Sequence, residues 1–277
     1  MREASRRWRR EGKSIGLVPT MGALHAGHMH LVEAARHEND VVVASVFVNP
    51  IQFGPREDLD RYPRDWDRDF RLLNEAEVDA VYRPSAAEMY PPDASTRVRV
   101  DGVAETLEGA ARPGHFAGVA TVVTKLFGAV EPDRAYFGQK DAQQVAVVKR
   151  MVSDLDLGVA IRVVPTVREP DGLALSSRNA YLDPDERKAA VSLSAALRQA
   201  TAAYAEGERD SDTLRGILHA RLGAEQLLTI DYAEVVDPAT FRKSGTLAVI
   251  AARIGKTRLI DNHDLTQSWP GTASGVR

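Results

Sequence analysis

Apolar runs and amphipathic stretches alternate through the first 165 residues. Residues 15–19 are apolar and read as a strand, and residues 27–39 read as a helix. Residues 41–47 form a continuous run rich in β-branched side chains, which suits a strand covered on both faces. A helix over 65–77 and a short strand over 78–82 follow. Val119, Val122, Val123, Leu126, Phe127 and Val130 recur at helical spacing and predict a buried helix face. A strand over 134–137, a helix over 141–153 and a strand over 159–165 complete this part. Strands alternating with helices predict a doubly wound parallel sheet with helices on both faces.

The pattern changes after Pro165. Residues 166–179 are polar and contain glycine. Pro184 opens an alanine-rich helix to about Tyr204, and a second helix spans 212–222. Strand-like runs at 228–236, 246–252 and 257–261 make this a smaller α+β domain. The division expected is 1–166 and 167–277, with a loosely held tail from Thr266.

The composition narrows the chemistry. The chain has no cysteine, which removes thiol catalysis, disulfides and thiolate metal sites. A net charge of -3 over 277 residues argues against nucleic acid as the main partner. No apolar run reaches membrane-spanning length. The arginines at 2, 6, 7, 9 and 10 precede no apolar stretch, so they read as a solvated helix rather than a secretory signal. A cytoplasmic enzyme is the expectation.

Candidate chemistry sits where strands end. In Met21-Gly22-Ala23-Leu24-His25-Ala26-Gly27-His28, two imidazoles fall where a helix begins. That end presents unpaired N–H groups and partial positive charge. Glycines admit a ligand to the backbone, so the run suits the polyphosphate of a nucleotide. The bland alternative is a pair of helix-capping or core histidines. Gly138-Gln139-Lys140-Asp141 again follows a strand; Lys140 offers a point charge, Asp141 a helix cap, and Gln144 both a donor and an acceptor. Leu175-Ser176-Ser177-Arg178-Asn179 is a polar loop whose hydroxyls and guanidinium could wrap phosphates and close over them. Asn49, Gln52 and Tyr62 lie on the loop after the second strand, where they could read a hydroxylated acid. The turn Arg112-Pro113-Gly114-His115 could project arginine and histidine together toward an anion; a plain surface turn is the alternative. On a doubly wound sheet, groups that follow the strands collect at one edge.

These segments, in this order from about Gly12 to about Asp261, resemble the pantothenate synthetase (pantoate–β-alanine ligase) family. The first and last motifs also resemble the paired signatures of class I aminoacyl-tRNA synthetases. The resemblance implies a Rossmann-like nucleotidyltransferase fold and a homodimer. It implies ATP, with Mg2+, as a substrate that activates pantoate as an adenylate for attack by β-alanine, on the way to coenzyme A. By the same resemblance, residues 21–28, 138–141, Val167 and 175–178 bind ATP, and His28 is the proton donor in adenylation. His25, Lys140 and Arg178 would share the catalytic charge. Gln52 and Gln144 would contact pantoate, with Asn49, Tyr62, Arg112 and His115 around the substrates. Some members carry adjacent acids near magnesium. Here Arg68 interrupts Asp65-Trp66-Asp67-Arg68-Asp69, which leaves Asp69 as a possible ligand and the phosphates as the main one. Gln139 stands where glutamate is common. Two other readings stay open: an adenylyltransferase acting on a phosphate-bearing acceptor, and a nucleotide-binding protein without turnover.

Overall fold

The computed structural model describes residues 1–55 and 57–270. The chain forms two compact units. The first holds Met1–Gln139 and Gln144–Pro165, and the second holds Lys140–Gln143 and the chain from Thr166 onward.

In the first unit α1 (Arg2–Arg10) leads into β1 (Ile15–Thr20), α2 (Ala26–Glu38) and β2 (Val41–Val46). Next come α3 (Trp66–Glu75), β3 (Ala80–Tyr82) and two one-turn helices, α4 (Ala86–Met89) and α5 (Glu108–Ala111). Then follow α6 (His115–Val130), β4 (Arg134–Gly138), α7 (Ala142–Asp154), whose first residues belong to the second unit, and β5 (Ala160–Val164). The five strands are parallel, in the order β3-β2-β1-β4-β5. Leu17, Val42, Val43 and Ala44 are wholly buried, as the β-branched run requires. The chain builds outward from β1 to β3, then returns to the other side of β1 to lay down β4. That reversal puts the crevice of a doubly wound sheet at the carboxyl ends of β1 and β4.

The arginine-rich start is a helix, and Arg2, Arg6 and Arg9 have definite partners at the end of α6. Arg2 donates to the Gly128 carbonyl at 2.7 Å and Arg9 to the Glu131 carbonyl at 2.6 Å. Arg2 thus satisfies a carbonyl in the last turn of α6 and Arg9 that of its C-cap residue, both at the negative end of the helix dipole. The short helices α4 and α5 were not legible in the hydrophobic pattern, because a single turn has too few positions to show a period.

The second unit contains α8 (Pro184–Ala205), α9 (Ser211–Gly223), β6 (Leu228–Val236), β7 (Leu247–Ile254) and β8 (Thr257–Asp264). Its strands form an antiparallel sheet in the order β6-β7-β8. Asp183 caps α8 by accepting from the amides of Asp185 and Glu186, and Pro184 occupies the first helical position. Leu193 and Leu197 of α8 and Leu214, Leu218 and Leu222 of α9 pack with Ile250 and Ala252 in one core. Trp269 packs against that core, with the Arg168 guanidinium 4.6 Å from its ring, so the tail is not loose at that point. The rest of the expected tail, 271–277, lies outside the described residues.

Candidate active site

His25 and His28 are caps, and the capping sets their chemistry. His25 is the N-cap of α2, its Nδ1 accepting from the Gly27 amide at 3.2 Å. His28 Nδ1 accepts from the His25 amide at 3.2 Å. An imidazole that accepts at Nδ1 carries its hydrogen at Nε2. Both rings are thus held as Nε2–H donors, 4.1 Å apart between centroids, at the amino end of a helix. The two readings of the motif, caps and oxyanion donors, are compatible: the cap fixes the tautomer and aims the donor. Glycine at 27 gives the His25 ring its room, since a Cβ there would sit 3.0 Å from it and press it out of its capping position.

The loop before them is held by a carboxylate. Asp69, on α3 and 2% exposed, accepts from the Ala23 amide and from the Leu24 amide, each at 2.8 Å. Arg68 donates to the Leu24 carbonyl at 2.8 Å. The loop needs such support: Gly22 has φ +84° and Ala23, with a Cβ, has φ +52°. Both of the Asp69 oxygens accept from backbone amides, so the side chain acts as a strut of the loop.

The motif that follows β2 meets this loop at Met21. Gln52, 7% exposed, directs Nε2 at the Met21 sulfur at 3.1 Å and accepts from Asn49 Nδ2 at 2.9 Å. Asn49 also donates to the Gly118 carbonyl and accepts from the Tyr90 hydroxyl at 2.8 Å. Burial pushes the Tyr90 phenol up to about 12, so it stays a donor. Asn49 is 1% exposed and occupied on both ends of its amide. It orients Gln52. Gly118 permits the fit, since a Cβ there would meet Gln52 Cα at 2.6 Å. Tyr62 is buried with its ring edge-on to Phe53, and Gln144 lies half-buried in the first turn of α7.

Arg112 and His115 are bonded to each other and to neighbouring groups of the first unit. Arg112 makes a two-point ion pair with Glu57, both contacts at 2.7 Å, and its Nη1 lies 3.1 Å from His115 Nε2. The other ring nitrogen lies 2.9 Å from the Gln52 carbonyl. A guanidinium only donates and a carbonyl only accepts, so His115 is neutral with its hydrogen on Nδ1. It opens α6 and is buried, so the segment is a packed helix start rather than a projecting turn. Burial pushes Glu57 up, but its bonds to Arg112 more than offset this and leave the carboxyl below its usual range.

A pH dependence follows. Burial first, then the Arg112 charge, pushes His115 down from 6.5 to about 4, against the opposing pulls of Glu57 and Glu108. Below 6.5 the unfolded chain takes up a proton that the folded chain refuses. The neutral ring's contribution is therefore whole above 6.5 and is lost as the pH falls toward 4, with about 2 kcal/mol gone by pH 5. His115→Asn keeps a donor toward Gln52 and cannot titrate. Urea midpoints at pH 7 and pH 5 should differ less in this variant than in the parent; equal differences would contradict the assignment.

Lys140, Asp141 and the motif residues from Val167 onward belong to the second unit. Residues 167–175 form a hairpin, with the Leu175 amide donating to the Val167 carbonyl at 2.9 Å and Gly172, φ +94°, in its turn. Arg187 of α8 donates to both oxygens of Glu169, at 2.8 Å each, and to Asp171. Asn179 donates to Glu169 at 2.8 Å. Ser176 Oγ accepts from the Arg178 amide at 3.3 Å and caps a 3-10 turn over Ser177–Tyr181. Polar composition here encodes a braced hairpin rather than an unstructured loop. Lys140 lies in the 3-10 turn Gln139–Asp141, its Nζ 3.6 Å from the Asp141 carboxylate.

A parallel sheet with tautomer-fixed imidazoles at its switch point, beside an oriented glutamine, defines an α/β enzyme of the nucleotidyltransferase type. The sequence profile described as Pantoate-beta-alanine ligase matches residues 1–264. A pantothenate synthetase of Acetivibrio thermocellus is 55% identical over 91% of each chain. The crystal structure of the pantothenate synthetase of Thermus thermophilus is similar at TM-score 0.88 and 50% identity, over 91% of this chain and 93% of that one. A pantoate–β-alanine ligase of Francisella tularensis, complexed with beta-gamma ATP and β-alanine, matches at TM-score 0.78 and 36% identity, over 93% and 92%. The chain belongs to the pantoate–β-alanine ligase family.

Proposed function

We propose that this ATP-dependent ligase condenses pantoate with β-alanine in two steps. A pantoate carboxylate oxygen attacks the α-phosphorus of ATP and pyrophosphate leaves, giving pantoyl adenylate. The β-alanine amine then attacks the activated carbonyl, and AMP departs with the bridging oxygen. Free carboxylate cannot acylate an amine because its oxide is a poor leaving group; AMP is a good one. Catalysis is positioning and charge stabilisation, with no protein nucleophile. His25 and His28 donate from Nε2 to phosphate oxygens, and Lys140, Ser177 and Arg178 supply further donors and positive charge. Gln52 and Gln144 bind the acid. Magnesium would be held mainly by the polyphosphate oxygens.

The contact between Met21 and Gln52 carries this reading. It brings a nucleotide-binding loop against a glutamine that can read a small acid, an arrangement that AMP transfer to a phosphate acceptor does not require. The homodimer and cytoplasmic location belong to the same proposal, and among the described residues no helix is long and apolar enough to cross a membrane. Isotope exchange between pyrophosphate and ATP should need pantoate but not β-alanine, whereas steady AMP release should need all three substrates. Steady AMP release without β-alanine would overturn the proposal.

A further inference from the structure

Two buried polar residues of the second unit, outside every motif above, join its two candidate ATP-binding segments. Asp261 and Asn262 are adjacent on β8 and are 2% and 4% exposed. Burying a carboxylate or an amide is costly unless each is bonded. Asp261 takes a two-point ion pair from Arg168, at 2.7 and 3.0 Å, and Arg168 also donates to the Gly172 carbonyl at 3.1 Å. Arg168 is the second residue of the hairpin that carries Val167 and leads to Ser176, Ser177 and Arg178. Asn262 Nδ2 donates to the backbone carbonyl of Lys140 at 2.8 Å. Its own amide donates to Asp261 Oδ1 at 2.8 Å, and its carbonyl accepts from Arg168 at 3.4 Å. Successive strand residues point to opposite faces, so β8 can grip one segment from each side.

We propose that Asp261 and Asn262 are positioning residues that hold Lys140 and the serine–arginine hairpin at a fixed spacing within the second unit. The proposal rests on the reading of Lys140 as a phosphate-binding cation. Neither residue needs to touch a substrate. Asn262 bonds the backbone of the residue whose side chain does the binding, and Asp261 orients the arginine that braces the hairpin. A misplacement of about 1 Å in such a group is enough to cost on the order of a hundredfold in rate.

The test is a double-mutant cycle built on Asn262→Leu and Lys140→Ala, read by pyrophosphate exchange and by steady-state kinetics. Asn262→Leu should lower exchange about tenfold or more while KM for β-alanine stays within about twofold. In the Lys140→Ala background the same change should cost little more, because the group it positions is gone. General loosening of the unit would instead raise KM for β-alanine and multiply the two losses. Multiplying losses, or wild-type exchange in Asn262→Leu, overturns the proposal. A silent Lys140→Ala removes Lys140 from the functional reading, and this proposal with it. If Asn262→Leu folds poorly, Asn262→Ser, too short to reach the Lys140 carbonyl, is read the same way.

Discussion

Replacing His28 by alanine should lower pantoate-dependent pyrophosphate exchange by about two to three powers of ten, the usual cost of one oxyanion donor. The same substitution removes an N-terminal capping partner, because His28 Nδ1 accepts from the His25 amide. That loss costs about 1 kcal/mol of stability, or a few degrees in Tm. The two effects can be separated. His28→Gln supplies an oxygen at the third helical position, where glutamine commonly closes a capping box, and should restore most of the Tm. It does not recreate an Nε2–H on a ring fixed by its cap, so exchange should stay low. Recovery of exchange together with Tm in His28→Gln would mean that His28 serves the helix and not the phosphates. Wild-type exchange in His28→Ala would remove the role altogether. His25 is less clean to test, since Gly27 lies directly against its ring.

The sheet was legible because its cause is local. The β-branched run at 41–46 has no polar face to expose and can only be a covered strand. The imidazole pair was legible for a similar reason: glycine and histidine at the end of an apolar run mark a helix start open to a ligand. Choosing among identical letters was not. Asp65, Asp67 and Asp69 stand within five positions of one another, yet Asp65 caps α3, Asp67 is exposed and Asp69 is buried against the loop of another element. The ion pair between Glu57 and Arg112 spans 55 positions and, through His115, braces Gln52, which no local pattern in the sequence shows. Gly118 did leave a trace, as glycine within an apolar helix disfavours that helix unless another backbone must come close. In the second unit, the bonds from Arg187 and Asn179 to Glu169 are invisible to composition, so a braced hairpin reads as a plain polar loop.

Asp69→Ala should damage stability and adenylation together. It strips the acceptor from two amides, at Ala23 and Leu24, in a loop with two successive residues at positive φ. Hydrogen bonds to a charged acceptor contribute about 1.5–3 kcal/mol each. Relaxation of the strained turn toward water returns part of that, leaving a loss of about 2–4 kcal/mol, which lowers Tm by roughly 10 °C. The relaxed loop no longer presents Met21 to Gln52 or leads His25 into its cap, so exchange should fall by at least about a hundredfold. Asp69→Asn keeps one acceptor but turns an NH2 toward the other amide, and should fall between the two in Tm. Arg68→Ala removes only the bond to the Leu24 carbonyl from an exposed side chain and should cost about 1 kcal/mol. A metal-ligand role for Asp69 makes the opposite prediction: the apparent affinity for magnesium would weaken while Tm measured without magnesium stayed at the parent value. The strut predicts the Tm loss in metal-free buffer, because the amides need the carboxylate whether or not a nucleotide is present.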